Sequence, residues 1–279
     1  SDQWNKKAVK GDTGYNALEG RNSAVIRVIH ATRPKTLLDI GCGTGQLVIS
    51  AAGLGVSSTG IDFAESMIEL CRTNAALGTA RTEFIHGSVF DHDFGKRQFT
   101  LVSALGLIEY FSFEEFEKFL EICGRLIESE GTLMLGSRNR LFNLHSYNEY
   151  TDLEHDLGNI PGLFDENLRI MKAPSQGELL NRLRESKIRY RHPDSHPRTE
   201  IGVETRYQYS PAEILQIVED KGFEAIKFYP VHYHAMPAIL KGKYLPLHSE
   251  FSRYVDEYCF DDFQLLPSSS SFVAELRKT

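Results

Sequence analysis

Residues 37–45 read Leu37-Leu38-Asp39-Ile40-Gly41-Cys42-Gly43-Thr44-Gly45, and this stretch decides the fold. Thr36–Ile40 is an apolar run of strand length, and the glycine-rich turn ends it. Glycines at alternate positions let the backbone turn sharply and let a ligand lie against it without Cβ clashes. The helical pattern that follows, Gln46–Leu54, aims its unpaired N-terminal amides at whatever sits there. The spacing is G-x-G-x-G, whereas a pyrophosphate-reading turn has G-x-G-x-x-G. Asp39, two residues before the first glycine, disfavours a phosphate and suits a cationic ligand.

Outward from this turn, short apolar runs alternate with helical patterns, the signature of a parallel sheet with crossover helices. Strands are expected at Ser57–Ile61, Thr82–Ile85, Phe99–Ala104 and Thr132–Gly136, with helices at Glu65–Ala76 and Phe113–Glu128, the latter stopped near Gly131. Regularity lapses over residues 137–206, which is too long for a plain loop in a compact domain and implies a lid or small subdomain. Ser210-Pro211-Ala212-Glu213 then opens a capped helix closed by Gly222, and Phe223–Val231 and Ser270–Leu276 supply the last two strands. The expected architecture is α/β: a doubly wound, seven-stranded, mostly parallel sheet with strand seven antiparallel. Residues 1–34 form an N-terminal segment, 35–136 and 207–279 the core, and 137–206 a cap, with 235–265 adding to the cover.

The chain has 279 residues, 41% hydrophobic and 25% charged, an ordinary globular composition. No run approaches the roughly 18 apolar residues of a membrane span, and no apolar leader stands at the N-terminus. The net charge of −7 argues against a general nucleic-acid binder. Residues 168–206 nevertheless hold nine Lys/Arg against five Asp/Glu; either a basic patch for an anionic substrate or a solvated helix face explains this. Cys42, Cys71, Cys123 and Cys259 form no ligand-spaced cluster, which fits reduced thiols in a cytoplasmic protein and gives no metal site.

Ile61-Asp62-Phe63 ends the second strand, and a carboxylate there can accept both hydroxyls of a ribose. Asp39 and Asp62 thus bracket a nucleoside that bears a positive group and no phosphate, a description S-adenosylmethionine meets. Here the chain resembles the class I S-adenosylmethionine-dependent methyltransferases of the small-molecule type, closely over residues 35–136 and more loosely over 208–277. The resemblance implies a Rossmann-like fold with this cofactor. It matches the first motif to Asp39, Gly41, Cys42, Gly43 and Gly45, the ribose acid to Asp62, and apolar contacts to Phe63 and Met67. The adenine-side turn falls on Gly87, Ser88 and Val89, where many members carry an acid at the Ser88 position; Ser88 or a shifted Asp91 takes its role. Ala104 and Leu105 line the donor pocket.

Methyl transfer from a sulfonium demands alignment and a dry pocket, and a hydroxyl acceptor also needs a proton acceptor in reach. Glu109, with Tyr110, follows strand four on the edge facing the methyl group; His145 follows strand five. His232 and His234 alternate on one face at the end of strand six, where this fold binds ligands. A third ligand that would turn this pair into a metal site is not evident from spacing. His192, His196, Arg206 and Tyr207 read as loop residues, and Trp4, Tyr15 and Arg21 lie in a segment that covers the cofactor or forms an ordinary surface helix. The expectation is methylation of a small polar acceptor such as a sugar, sugar nucleotide or glycan, with O-methylation favoured. The alternatives are N-methylation of a small amine or natural product, and a non-catalytic S-adenosylmethionine-binding sensor or scaffold.

Overall fold

The computed structural model describes residues 17–76, 78, 81–196 and 206–279. Trp4 and Tyr15 therefore lie outside the described residues. The elements run α1 (Ala17–Thr32), β1 (Thr36–Ile40), α2 (Gln46–Gly53), β2 (Ser57–Asp62), α3 (Glu65–Ala75), β3 (Thr82–His86), β4 (Phe99–Leu105), α4 (Phe113–Leu126) and β5 (Ile127–Arg138). Four helices follow: α5 (Asn143–Ser146), α6 (Glu149–Asp156), α7 (Ile160–Met171) and α8 (Gln176–Arg184). The chain then returns through α9 (Pro211–Glu219), β6 (Phe223–Tyr233), α10 (Ala238–Lys241), α11 (Leu245–Cys259) and β7 (Ser269–Lys278).

One seven-stranded sheet has the order β3-β2-β1-β4-β5-β7-β6. β1 through β5 are parallel, and β7 runs antiparallel to both β5 and β6. β6 thus points the same way as β5. The ends of β1, β2, β4, β5 and β6 consequently share one edge, where the strand order reverses and ligands bind in such sheets. Central strands buried on both faces read as continuous apolar runs, which is why Leu37, Leu38, Val102, Leu133 and Leu135 are wholly buried.

The expected strands and helices are present, and two local readings need correction. α4 ends at Leu126, and β5 begins at once with Ile127 rather than at Thr132. Gly131 is not a helix stop. It sits inside β5 beside a register shift opposite Phe99 and Leu101, and a Cβ there would come within 2.6 Å of Ile127 Cγ2. The second correction concerns residues 137–206, whose described part is largely helical. Its helices are four to twelve residues long, and two of them start at side-chain caps: Asn148 accepts from Tyr150 N, and Ser175 from Glu178 N.

These helices are not a loose lid. Leu163, Ile170, Leu179, Leu180 and Leu183 are buried in the same apolar cluster as β4, β5, α9 and β7. A buried polar network fastens them to the core. Arg140, 2% exposed, pairs through Nε with Glu154 at 2.8 Å and through Nη1 with Glu213 at 3.1 Å. Glu213 also caps α9 with Ser210, as the sequence implied, and meets His192 Nε2 at 2.8 Å. Burial alone would raise the Glu213 pKa; the Arg140 guanidinium and the bond to His192 hold it below the ordinary carboxylate value. In the basic stretch, Arg169, Arg182 and Arg184 pair with Asp165, Glu178 and Glu219, so those three belong to solvated helix faces rather than to a free cationic patch. Of the cysteines, Cys42, Cys71 and Cys123 are buried free thiols, whereas Cys259 is exposed.

Candidate active site

The β1–α2 turn places Gly41, Gly43 and Gly45 at φ 71°, 53° and 77°, a left-handed backbone that side chains disfavour. Gly45 has a second reason to be glycine, since a Cβ would lie 2.9 Å from Cys71 Sγ and 2.9 Å from Phe84 Cε1. The loop is tied down by the next strand end. Asp62 accepts from Gly43 N and from Ala64 N, both at 2.9 Å. A carboxylate has roughly four lone-pair positions, so acceptor capacity remains for a diol.

Asp39 and Asp62 are both buried, at 5% and 8% exposure. Among the described residues neither forms an ion pair with a Lys or Arg. Asp39 accepts from Ser103 Oγ at 2.7 Å across the β1–β4 ladder. Burial pushes the Asp39 pKa up to about 7, against the lowering effect of that hydrogen bond, and the neighbouring Asp62 charge adds to the rise. Burial also raises Asp62, partly offset by the Ala64 and Gly43 amides. Two buried carboxylates without a basic partner carry a cost that a bound cation would remove.

Around this pair, Cys42 and Met67 are buried, while Phe63 is 74% exposed at the rim. Val89 is buried below the β3 turn, and the Ser88 hydroxyl accepts from Phe90 N at 3.2 Å, which leaves its O–H available as a donor. Gly87 follows β3 with its N–H donated to Asp62 O at 2.9 Å. Ala104 and Leu105 end β4, and Gly106 then turns with φ 71°.

Beyond Gly106 the character changes. Glu109 is 3% exposed, with its Oε2 lying 2.5 Å from Arg138 Nε and 3.5 Å from Arg206 Nε. Arg21 of α1 crosses the same space: its Nη1 is 2.1 Å from where a Gly106 Cβ would stand, and its Nη2 donates to Ser271 Oγ at 3.0 Å. Desolvation lowers the Arg21 pKa, and the Glu109 carboxylate opposes that effect. Three guanidiniums thus meet one carboxylate at the ends of β4 and β5. Sequence reasoning gave Glu109 but missed Arg138, because an arginine closing a strand carries no signal until the β5–β7 register sets it opposite Ser271.

His232 and His234 face each other as expected, with ring centroids 4.6 Å apart. His232 adopts φ 59° within the end of β6, its Nδ1 is 3.1 Å from Ser270 Oγ and its Nε2 is 3.4 Å from Lys241 Nζ. Burial, then the neighbouring imidazoles and Lys241, push the two pKa values down to about 2 and about 3, so both rings are neutral. The structure adds a member that spacing did not reveal: His248 of α11, fully buried, with its ring 4.8 Å from that of His234. His145 is exposed on α5 and is not gathered into this cluster.

Comparison with known proteins gives a consistent picture. Residues 37–131 match the family described as methyltransferase domain. The ubiquinone biosynthesis O-methyltransferase of Erwinia tasmaniensis is 28% identical over 161 residues, 57% of this chain and 63% of that protein. The mitochondrial counterpart of Schizosaccharomyces pombe is 34% identical over 109 residues, 38% of this chain and 39% of that protein. The matched stretches thus span from about two fifths to just under two thirds of these relatives. Among solved structures, the CcbJ methyltransferase from Streptomyces caelestis superposes with a TM-score of 0.57 at 17% identity, covering 96% of this chain and 98% of that one. Magnesium protoporphyrin IX methyltransferase from Synechocystis, with bound S-adenosylhomocysteine, gives 0.55 at 15% identity over 94% and 84%. The fold is that of the class I methyltransferases.

Proposed function

We propose, on the premise that residues 37–131 are a methyltransferase domain, that the chain transfers the methyl group of S-adenosylmethionine to an oxygen of a small polar acceptor carrying negative charge. The observation that carries this reading is the buried pair Asp39 and Asp62 beside a glycine turn, with no Lys or Arg paired to either among the described residues. Such a site suits a ligand that brings a cation and a vicinal diol together. The cofactor's sulfonium and ammonium supply the first and its ribose the second.

The turn of Gly41, Gly43 and Gly45 lets the ligand approach the backbone, and Asp62 holds that turn in place while accepting from the ribose. Ser88 and Val89 would hold the adenine side, and Ala104, Leu105 and Gly106 would line the methyl-donor end. In the transfer a C–O bond forms as the C–S bond breaks, and the electron pair stays on sulfur to give S-adenosylhomocysteine. Enclosure and alignment are the chief contributions expected of the protein in such a displacement. The acceptor's hydroxyl meets the neutral imidazoles of His232 and His234 at the same sheet edge as a hydrogen-bonding contact, and its proton passes on to water.

Glu109 has a positioning role rather than that of a base, because its carboxylate is held between Arg138, Arg206 and Arg21. That grouping leaves surplus positive charge on the acceptor side, which favours a carboxylate- or phosphate-bearing acceptor such as a sugar nucleotide. The similarity to ubiquinone biosynthesis O-methyltransferases supports O-methylation. Residues 143–184 act as the acceptor-side cover. The test is transfer of label from methyl-labelled donor to matched neutral and phosphorylated sugars. Faster labelling of the phosphorylated member supports the reading, and Arg138→Gln should remove that preference. Equal rates on both members would refute the anionic preference.

A further inference from the structure

Three imidazoles from two elements converge at the end of β6. His232 and His234 come from the strand end, and His248 from the first turns of α11. One ring nitrogen of each lies within 4.8 Å of the others. Ring centroids are separated by 4.6, 4.8 and 6.2 Å.

The cluster has a hydrogen-bonding deficit that packing does not explain. His234 is 9% exposed and His248 wholly buried. Neither ring nitrogen of His234, nor Nε2 of His248, has a partner among the described residues. A neutral imidazole has one donor and one acceptor nitrogen, and burying them unpaired is costly. Where the cluster does have polar neighbours, Lys241 Nζ lies 3.4 Å from His232 Nε2 and Ser252 Oγ 3.5 Å from His248 Nδ1. Ser270 Oγ, 3.1 Å from His232 Nδ1, can accept that nitrogen's proton and so set the ring's lone pair on Nε2, on the side of Lys241, the tautomer usual for a ligating histidine.

We propose that His232, His234 and His248 form a binding site for one divalent ion of the zinc class, held by three neutral nitrogens with a further position open. Bonds of about 2.05 Å in a tetrahedral site set nitrogens roughly 3.4 Å apart, so the trio needs to close by about an ångström. Ring rotations of that size are within reach of α11, which is anchored at one end by a four-residue helix. All-nitrogen ligation selects zinc, cobalt or copper over magnesium or calcium, which prefer oxygen. Lys241 and Arg21 oppose the ion by like charge, and Lys241, half-buried on α10, withdraws when the ion enters. Occupied lone pairs cannot take a proton. The inference therefore deepens the methyl-transfer reading: the cluster would act on an acceptor hydroxyl through the ion, which lowers the proton affinity of a bound oxygen. The remaining proton passes to water.

The test needs neither cofactor nor acceptor, so its failure leaves the methyl-transfer reading intact. The full chain, free of any affinity tag and stripped with chelator, is titrated with cobalt(II) chloride and followed in the visible. The expected result is a single-equivalent d–d band of a low-coordinate nitrogen site, discharged by zinc chloride. His234→Gln and His248→Gln should each lose the band while keeping the wild-type circular dichroism. Lys241→Met, which removes a repelling charge without touching a ligand, should tighten cobalt binding. Absence of the band in wild type, its persistence in both histidine variants, or weaker binding in the Lys241 variant would overturn the proposal. Binding of inorganic phosphate in place of cobalt would also overturn it and make the cluster an anion site.

Discussion

The N–H of Gly43 donates to the Asp62 carboxylate at 2.9 Å, so the end of β2 holds the glycine turn at the end of β1. One side chain therefore shapes the loop and offers the acceptor for the ribose. Asp62→Ala removes both. Affinity for S-adenosylmethionine should fall by on the order of 1.5–3 kcal/mol, about ten- to a hundredfold. Calorimetric titration checks it, and unchanged affinity would refute the ribose assignment.

Asp39 carries a pH signature. Its folded pKa is raised to about 7 from 3.8. A raised carboxyl binds more protons folded than unfolded between those values, so the ligand-free protein loses stability as pH climbs from about 4 to about 7. A cationic ligand favours the ionised form and should bind more tightly above pH 7 than at pH 6. Melting curves across this range should show the fall in wild type and a flatter profile in Asp39→Asn. A wild-type profile as flat as that of the variant would contradict the assigned environment.

Gly45 combines φ 77° with contacts that exclude a Cβ. Gly45→Ala should destabilise by about 1–3 kcal/mol through overpacking and backbone strain. Chemical denaturation measures this, with Gly53→Ala as the control at an open helical position.

Arg140→Ala leaves Glu154 and Glu213 buried without their guanidinium. The expected cost is about 3–5 kcal/mol of stability. Cofactor affinity at a temperature where the variant is folded should stay near wild type, because the network joins helices to the core and does not touch the glycine turn. A wild-type melting temperature would show that the network contributes nothing.

The sequence already carried the sheet and the cofactor half of the site, and the reason is locality. Asp39, the three glycines and Asp62 all sit at the ends of strands five or six residues long, so spacing alone orders them. The acceptor half depends on long-range pairing. Arg138 meets Glu109 only because β5 continues beyond Gly136, and Arg21 arrives from a helix that precedes the sheet. His248 was invisible for the same reason: nothing in a helical stretch says that it folds back on a strand end. The helices in residues 143–184 are four to twelve residues long, and their buried stripes include polar residues such as Glu154, Glu166 and Asn167.

The central claim is the cofactor, and calorimetric titration with S-adenosylmethionine and S-adenosylhomocysteine, with NADH as control, tests it most directly. The account predicts micromolar binding of the first two, none of NADH, and weakened binding in Asp62→Ala. Failure of both sulfur nucleosides to bind, or binding of NADH in their place, would contradict it.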